Sequence, residues 1–115
     1  MTLCEAHSFL KEKHPHYQNA AEKYLEYINT YAKKNDVLLN FGCGDESYYP
    51  EGYHCSPRKT YGLDIKQHAS NKNIDEIRTY KKDSTFPFEN SCINTIISEW
   101  VFEHLDNPEH AIREC

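Results

Sequence analysis

The chain has 115 residues and a net charge of −5, which allows one domain with a modest core but is short for a complete doubly wound nucleotide-binding fold. Its acidic balance and isolated basic pairs argue against a nucleic-acid partner. Since it has no stretch of about 18 apolar residues, and residues 1–15 lack the apolar core of a secretory signal, we expect a cytoplasmic protein without membrane contact.

Cysteine and histidine are the residue types most often found as metal ligands. The five cysteines are scattered and form no C-x-x-C pair, so free, reduced thiols are expected. His14-Pro15-His16 and His54-Cys55 resemble halves of a metal site, but neither has a matching half elsewhere in the chain. We therefore predict no bound metal.

Residues 1–35 are predicted to form an amino-terminal helical segment, with a helix over residues 15–35. Pro15 suits its first turn and Asn35-Asp36 its end. This helix is expected to pack on a sheet, and the alternative is a lid whose tyrosines reach a ligand. The residues of its apolar and aromatic stripe recur at alternating steps of four and three: Tyr17, Ala21, Tyr24, Ile28 and Tyr31.

Residues 37–40 form a short apolar run that breaks into Gly42-Cys43-Gly44. This pattern predicts a buried strand followed by a tight turn, where the missing Cβ atoms let a ligand approach the backbone. Glu46 stands where a dinucleotide-binding fold has a third small residue. Because of its prolines and glycine, the segment 45–59 is predicted to be a loop with at most one or two helical turns.

The second strand is predicted over residues 60–65 and contains Asp64 near its end. An acid about 20 residues after a Gly-x-Gly turn can accept hydrogen bonds from both hydroxyls of a ribose. The alternative is a helix N-cap or turn residue. The spacing favours the ribose role.

The segment 73–80 is ambiguous between a helical turn and a short third strand, and Asp83 with Phe86-Pro87-Phe88 is predicted to lie in a loop. Residues 92–98 carry the β-branched run of a buried strand. A short helix is expected over residues 99–105, and Asn107 with Pro108 should begin another over 108–113. This order predicts an α/β fold with parallel strands and right-handed crossovers.

The glycine turn and the two acids would converge at the carboxyl ends of the parallel strands, where open α/β sheets bind ligands. Four ordered segments resemble class I S-adenosylmethionine-dependent methyltransferases, in particular the small-molecule branch with a final glutamate-histidine pair. They are Val37-Leu38-Leu39-Asn40-Phe41-Gly42-Cys43-Gly44, Gly62-Leu63-Asp64, Asp83 with Phe86-Pro87-Phe88, and Ile96-Ile97-Ser98 leading to Val101-Phe102-Glu103-His104-Leu105.

The resemblance implies a Rossmann-like doubly wound parallel sheet, of which residues 36–115 would be the amino-terminal portion, with S-adenosyl-L-methionine as cofactor. It implies that the turn from Gly42 through Cys43 to Gly44 lies against the methionine part of the cofactor. Asp64 would hold the ribose hydroxyls, and Ile65 would pack on the adenine.

The remaining implied positions lie after the third and fourth strands. Asp83 would accept the adenine amino group with Ser84 beside it, and Ser98 with Glu99 would border the methyl group and the substrate. Asn40 stands where the family usually has an acid. Its amide accepts a hydrogen bond but lacks the charge to pair with the cofactor's ammonium group.

Two residues are candidates for a catalytic role. Glu99 and His104 are the two candidates, and Glu103-His104 is expected to serve helix packing more than proton transfer. Trp100 is expected in the core rather than as a substrate platform. The acceptor is expected to be a small molecule. Its identity is not encoded in the matched segments.

Members of the family continue through three more strands, so the fourth strand would here become an edge exposing Ile93, Ile96 and Ile97. We therefore expect a fragment, a degenerate copy, or one half of an assembly in which a second chain covers the edge. The first hypothesis is a methyltransferase or its amino-terminal portion. The second is a non-catalytic binding or assembly module, and a nicotinamide-dependent dehydrogenase is disfavoured because the later glycine is missing.

Overall fold

The computed structural model describes residues 1–45, 57–68 and 74–115. Within these residues, four parallel strands form one sheet in the order β3-β2-β1-β4. The strands are β1 (Val37–Phe41), β2 (Lys59–Asp64), β3 (Glu76–Thr79) and β4 (Thr95–Ser98). Helices α1 (Leu3–Lys13) and α2 (Ala20–Tyr31) precede the sheet, and a 3₁₀ helix (Phe102–His104) and α3 (Pro108–Glu114) follow it. The predicted α/β class is confirmed.

Apolar side chains cover both faces of the sheet. Because side chains alternate along a strand, Leu38 faces one side and Leu39 and Phe41 the other. Leu38 packs with Ile28 and Ala32 at the end of α2, whereas Leu39 and Phe41 belong to a second cluster that includes Ala111 of α3. Helices on opposite faces are the arrangement of a doubly wound sheet.

The amino-terminal prediction was wrong in its boundaries. Two helices occur where one was expected, because Thr2 with Glu5 and Asn19 with Glu22 each form a capping box that begins a helix. Pro15 lies between the helices and not in a first turn. Of the predicted stripe, Ile28 is buried, while Ala21 and Tyr31 are exposed.

The first three strands lie close to their predicted positions. β1 extends one residue further, to Phe41, and β2 begins and ends one residue earlier than predicted, which leaves Ile65 just beyond it. The ambiguous segment forms a strand, β3, in parallel register with β2. Most of the loop predicted for residues 45–59, including Glu46, lies outside the described residues.

β4 is shorter than predicted because polar contacts fix its start at Thr95. The backbone N–H of Val37 donates to the Asn94 side chain over 2.7 Å, and the Thr95 hydroxyl donates to Asp36 over 2.9 Å. Before these contacts, Ser91 adopts φ +61°, a turn conformation that prevents extension of the strand toward Cys92.

The chain after β4 also departs from the prediction. Trp100 has φ +58°, which interrupts the helix expected over residues 99–105 and leaves only the 3₁₀ helix. The last helix begins as predicted, since the Asn107 side chain accepts from the backbone of His110 and Pro108 occupies the first turn.

β4 lies at an edge of the described sheet, as predicted, but its isoleucines are not left exposed. Ile97 is buried against the cluster of Leu38 and Ile28. Ile93 and Ile96 are half-buried against the opposite cluster. No helix in the described part of the chain has the length and apolar character needed to cross a bilayer.

Phe41 is the centre of the larger cluster. Its ring lies 5.1 Å from that of Phe86, 5.7 Å from Phe102 and 6.0 Å from Tyr80. The loop carrying Phe86 is tied to β3, because the guanidinium of Arg78 donates to the Pro87 carbonyl over 2.6 Å. One ring therefore joins the end of β1 to the chain after β3 and after β4.

Phe41→Ala should lower the free energy of unfolding by about 3–5 kcal/mol, because a cavity would replace a fully buried ring. Tyr31→Ala is the matched control. Because Tyr31 is 68% exposed, this substitution should change the free energy of unfolding by about 0.5 kcal/mol or less. Urea unfolding followed by circular dichroism measures both. Equal shifts in the two variants would contradict this account of the core.

Candidate functional site

The carboxyl ends of β1, β2 and β4 meet at one edge of the sheet. Phe41 is in register with Leu63 on one side and with Ser98 on the other. The Ser98 hydroxyl donates to the carbonyl of Phe41 over 3.1 Å. Residues that follow these three strands are therefore held close together.

The glycine turn is built on two left-handed residues, Gly42 at φ +73° and Gly44 at φ +59°. The Leu63 carbonyl accepts from Gly42 N–H over 2.7 Å and from Cys43 N–H over 3.4 Å. A Cβ on Gly42 would lie 2.2 Å from a methyl carbon of Val101, whereas one on Gly44 would meet no atom within 4 Å. Val101 therefore fills the space beside Gly42, whereas the space beside Gly44 is free.

Asp64 joins this turn to the end of β2. One oxygen, Oδ2, accepts from the backbone N–H of Gly44 over 3.0 Å, and the other, Oδ1, accepts from that of Lys66 over 3.2 Å. The side chain is about four-fifths buried. Because a carboxylate has about four lone-pair positions, it keeps capacity for further donors.

Cys43 contributes packing below the turn rather than a reactive group. It is buried, and its sulfur would lie 2.7 Å from a Cβ added to Gly62 of β2. Desolvation and the nearby Asp64 carboxylate raise the pKa of the thiol to about 11. The thiol is therefore protonated at neutral pH and unsuited to nucleophilic chemistry.

The sequence analysis missed His68, whose side chain is 10% exposed. Its Nδ1 contacts the Asp45 carboxylate, and its Nε2 lies 3.2 Å from Oδ2 of Asp64. The contact with Asp45, aided by the charge of Asp64, raises the pKa of the imidazole above its ordinary value. No spacing rule marks a histidine four residues after the strand-end acid, so only the geometry reveals it.

A pocket of about 200 Å³ lies between the chain just after β2 and β3 and the start of α3. It brings together three predicted site residues: Ile65, which is 58% exposed, Asp83 and His104. Its other walls are Tyr80, Lys82, Phe86, Leu105, Asp106, Asn107, His110 and Ala111. The pocket combines aromatic and aliphatic side chains with the carboxylates of Asp83 and Asp106, which suits a flat, partly polar group.

The other predicted site residues lie beside Asp83 or at the ends of β1 and β4. Ser84 is next to Asp83, but its hydroxyl donates to the Lys81 carbonyl over 2.6 Å. Asn40, near the end of β1, is half-buried, and so is Glu99 beyond Ser98. The site residues therefore divide between the glycine turn and the pocket.

The expectation that Trp100 belongs to the core was wrong. Its side chain is 74% exposed, because its positive φ turns the chain outward between Glu99 and Val101. Val101 then packs against Gly42. Glu103 and His104, expected to pack in a helix, are both exposed, and His104 lines the pocket.

In residues 1–45, 57–68 and 74–115, no group of three or more Cys, His, Asp and Glu side chains could hold a metal ion. The predicted free thiols are found for Cys4, Cys43, Cys92 and Cys115. His54-Cys55 lies outside the described residues.

The comparisons with known proteins agree with this geometry. A family model described as a methyltransferase domain matches residues 39–115, which includes the glycine turn, Asp64 and the pocket. The chain belongs to the methyltransferase domain family. This membership confirms the resemblance to class I methyltransferases and decides against the dehydrogenase alternative. No curated relative matches the chain.

A solved structure supports the fold. It is the complex between the Haloferax volcanii Trm112 methyltransferase activator and its candidate methyltransferase, with a TM-score of 0.61 and 16% sequence identity. The match covers 95% of this chain and 49% of that one, so the methyltransferase domain described here spans about half the length of its structural neighbour. The Rossmann-like fold class is thereby confirmed.

Gly42→Ala should destabilise this methyltransferase domain more than Gly44→Ala. Both put alanine at a positive φ, which costs about 1–2 kcal/mol, but only the first also collides with Val101. Urea unfolding should show that the difference between the variants shrinks in a Val101→Ala background. An unchanged difference would mean that Val101 does not exclude a side chain at position 42.

The contribution of His68 to stability should depend on pH. Because its pKa is raised in the folded chain, the stabilisation is complete below its ordinary value of 6.5 and is lost as pH rises through the folded value. The stability difference between wild type and His68→Asn should therefore be larger at about pH 5.5 than at about pH 9. Urea unfolding at each pH measures it, and a difference independent of pH would refute the charged contact.

Proposed function

We propose that the chain binds S-adenosyl-L-methionine and supports methyl transfer to a small-molecule acceptor. The observation that carries this proposal is the hydrogen bond that joins an open glycine turn to a largely buried strand-end carboxylate, Asp64, with a partly apolar pocket beginning at the next residue, Ile65. Ligands of open α/β sheets bind at the carboxyl ends of the strands. Family membership supplies the reaction class.

The residues present fit this cofactor. Gly44 leaves open space where a side chain would stand, so the methionine part could pass along the turn from Gly42 through Cys43 to Gly44. Asp64 has unused acceptor capacity for the ribose hydroxyls. Ile65 would supply an apolar surface for the adenine in the pocket.

The assignments at the two ends of the site follow from the same placement. Asp83 at the pocket rim would accept from the adenine amino group, with Ser84 next to it in the chain. At the other end, Ser98 is held against Phe41 beside the turn. Asn40 would accept from the ammonium group of the methionine part but would bind it less strongly than a carboxylate would.

When bound, the cofactor supplies a methyl group already activated on a sulfonium. The chain's own residues then have to orient the acceptor and exclude water. Glu99 follows Ser98 at the turn, whereas His104 lines the adenine-side pocket with Ile65 and Asp83. This separation favours Glu99 over His104 as the group beside the methyl acceptor.

A second candidate function is a binding or assembly module that works with another chain. Two observations favour it: β4 is an edge of the described sheet, and the structural neighbour was solved in a complex with an activator protein. A covering chain would pair with the free edge of β4. A chain that binds the cofactor but transfers no methyl group without a partner would support this second candidate.

Wild-type chain should bind S-adenosylhomocysteine in calorimetric titration, and Asp64→Asn should weaken binding at least about tenfold, because the amide cannot accept as two charged oxygens do. Glu12→Gln is the matched control, as it makes the same change on the exposed face of α1. Absence of binding by a folded wild-type chain would refute cofactor binding. Equal affinity of wild type and Asp64→Asn would refute the ribose assignment.

A further inference from the structure

Residues 81–84 form a tight turn, the Asp83 turn, which brings Asp83 to the wall of the pocket. The Lys81 carbonyl accepts from the backbone N–H of Ser84 over 3.0 Å and from the Ser84 hydroxyl over 2.6 Å. Asp83 is the third residue of this turn and has φ +57°, a position where turns usually have glycine or asparagine. A residue with a side chain is held in that conformation by its surroundings, and such residues cluster at ligand sites.

Helix α3 holds this turn and the chain just beyond it through two side chains. The Ser84 carbonyl accepts from Nε2 of His110 over 3.1 Å. The backbone N–H of Phe86 donates to the Glu114 carboxylate over 2.8 Å. Because His110 and Glu114 are four residues apart, they lie on the same face of the helix. One face of α3 therefore fixes the chain on both sides of residue 85.

The contact made by His110 is the one that bears on Asp83. A carbonyl oxygen only accepts, so Nε2 carries a proton in the neutral ring as well as in the charged one. The bond fixes the carbonyl of the residue that follows Asp83. The other contact beside Asp83 joins Lys82 to Asp106, whose side chains are 64% and 71% exposed, and an ion pair so exposed contributes little. His110 and Asp83 both line the pocket.

We propose that His110 is a positioning residue for the candidate site, which holds the Asp83 turn in its left-handed conformation by donating to the Ser84 carbonyl. This inference rests on the proposed function, in which Asp83 accepts from the adenine amino group. His110 acts through Asp83 rather than on the reacting methyl group. A helix that follows β4 thereby sets the geometry of a turn that follows β3.

The test is calorimetric titration with S-adenosylhomocysteine and with an analogue that has hydrogen in place of the adenine amino group. His110→Ala should weaken binding of S-adenosylhomocysteine about fivefold, because the hydrogen bond to Asp83 is then misaligned, and should leave the affinity for the analogue unchanged. His110→Gln, whose amide can donate to the Ser84 carbonyl, should recover part of the loss. Arg113→Gln is the matched control, because it changes an exposed side chain of the same helix.

A double-variant cycle separates positioning from a general effect on the fold. Asp83→Gly removes the carboxylate, and glycine adopts the positive φ of the turn without strain. If His110 acts through Asp83, adding His110→Ala to Asp83→Gly should weaken binding no further. Losses that add in the double variant would leave His110 a structural role only and would overturn the inference.

The outcomes separate the two proposals. Failure of the wild-type chain to bind S-adenosylhomocysteine would overturn cofactor binding itself, and the inference with it. Where the wild type binds, an unchanged affinity of His110→Ala, or equal weakening of both ligands, would overturn the inference alone. A loss confined to S-adenosylhomocysteine and absent from the Asp83→Gly background supports both proposals.

Discussion

The close approach of Val101 to Gly42 is the constraint on which the site depends. A methyl carbon of Val101 occupies the space that any side chain at position 42 would need. The turn after β1 can therefore pass beneath the loop after β4 only because residue 42 is glycine. The Ser98 hydroxyl also donates a hydrogen bond to the Phe41 carbonyl. These two contacts join the turn after β1 to the loop after β4, and we call the joined segments the rim of the site.

The rim is stabilised mainly by aromatic packing on the side of the pocket and by charged contacts on the side of β2. Phe41 contacts rings from the chain after β3 and after β4, so the pocket walls share the core of the sheet. Toward β2, Asp64, His68 and Asp45 connect the turn to the strand end through polar contacts. Charged contacts respond to pH and to ligands, whereas the aromatic cluster does not.

The sequence predicted the sheet better than its flanking helices. An apolar run such as Val37–Phe41 specifies a buried strand because four of its five residues are apolar and the run is too short for a core helix, and the glycine turn fixes where it ends. Helix boundaries instead depended on the caps at Thr2 and Asn19, and the period of the tyrosines obscured them. Trp100 was misplaced because an apolar residue in a helical stripe gives no sign of a positive φ.

The site was predictable where one residue type is required and unpredictable where residues meet through space. Gly42, Gly44 and Asp64 were marked by their spacing along the chain, since a close backbone approach and the proposed ribose contact each restrict the residue type. His68 acquires meaning only from Asp45, which lies 23 residues earlier and meets it across the turn. Asn40 removes a negative charge at one end of the site. Asp45 and His68 form an ion pair across the turn in which the carboxylate is 83% exposed and the imidazole 10% exposed, so pH more than burial governs how strongly this pair connects the turn to the end of β2.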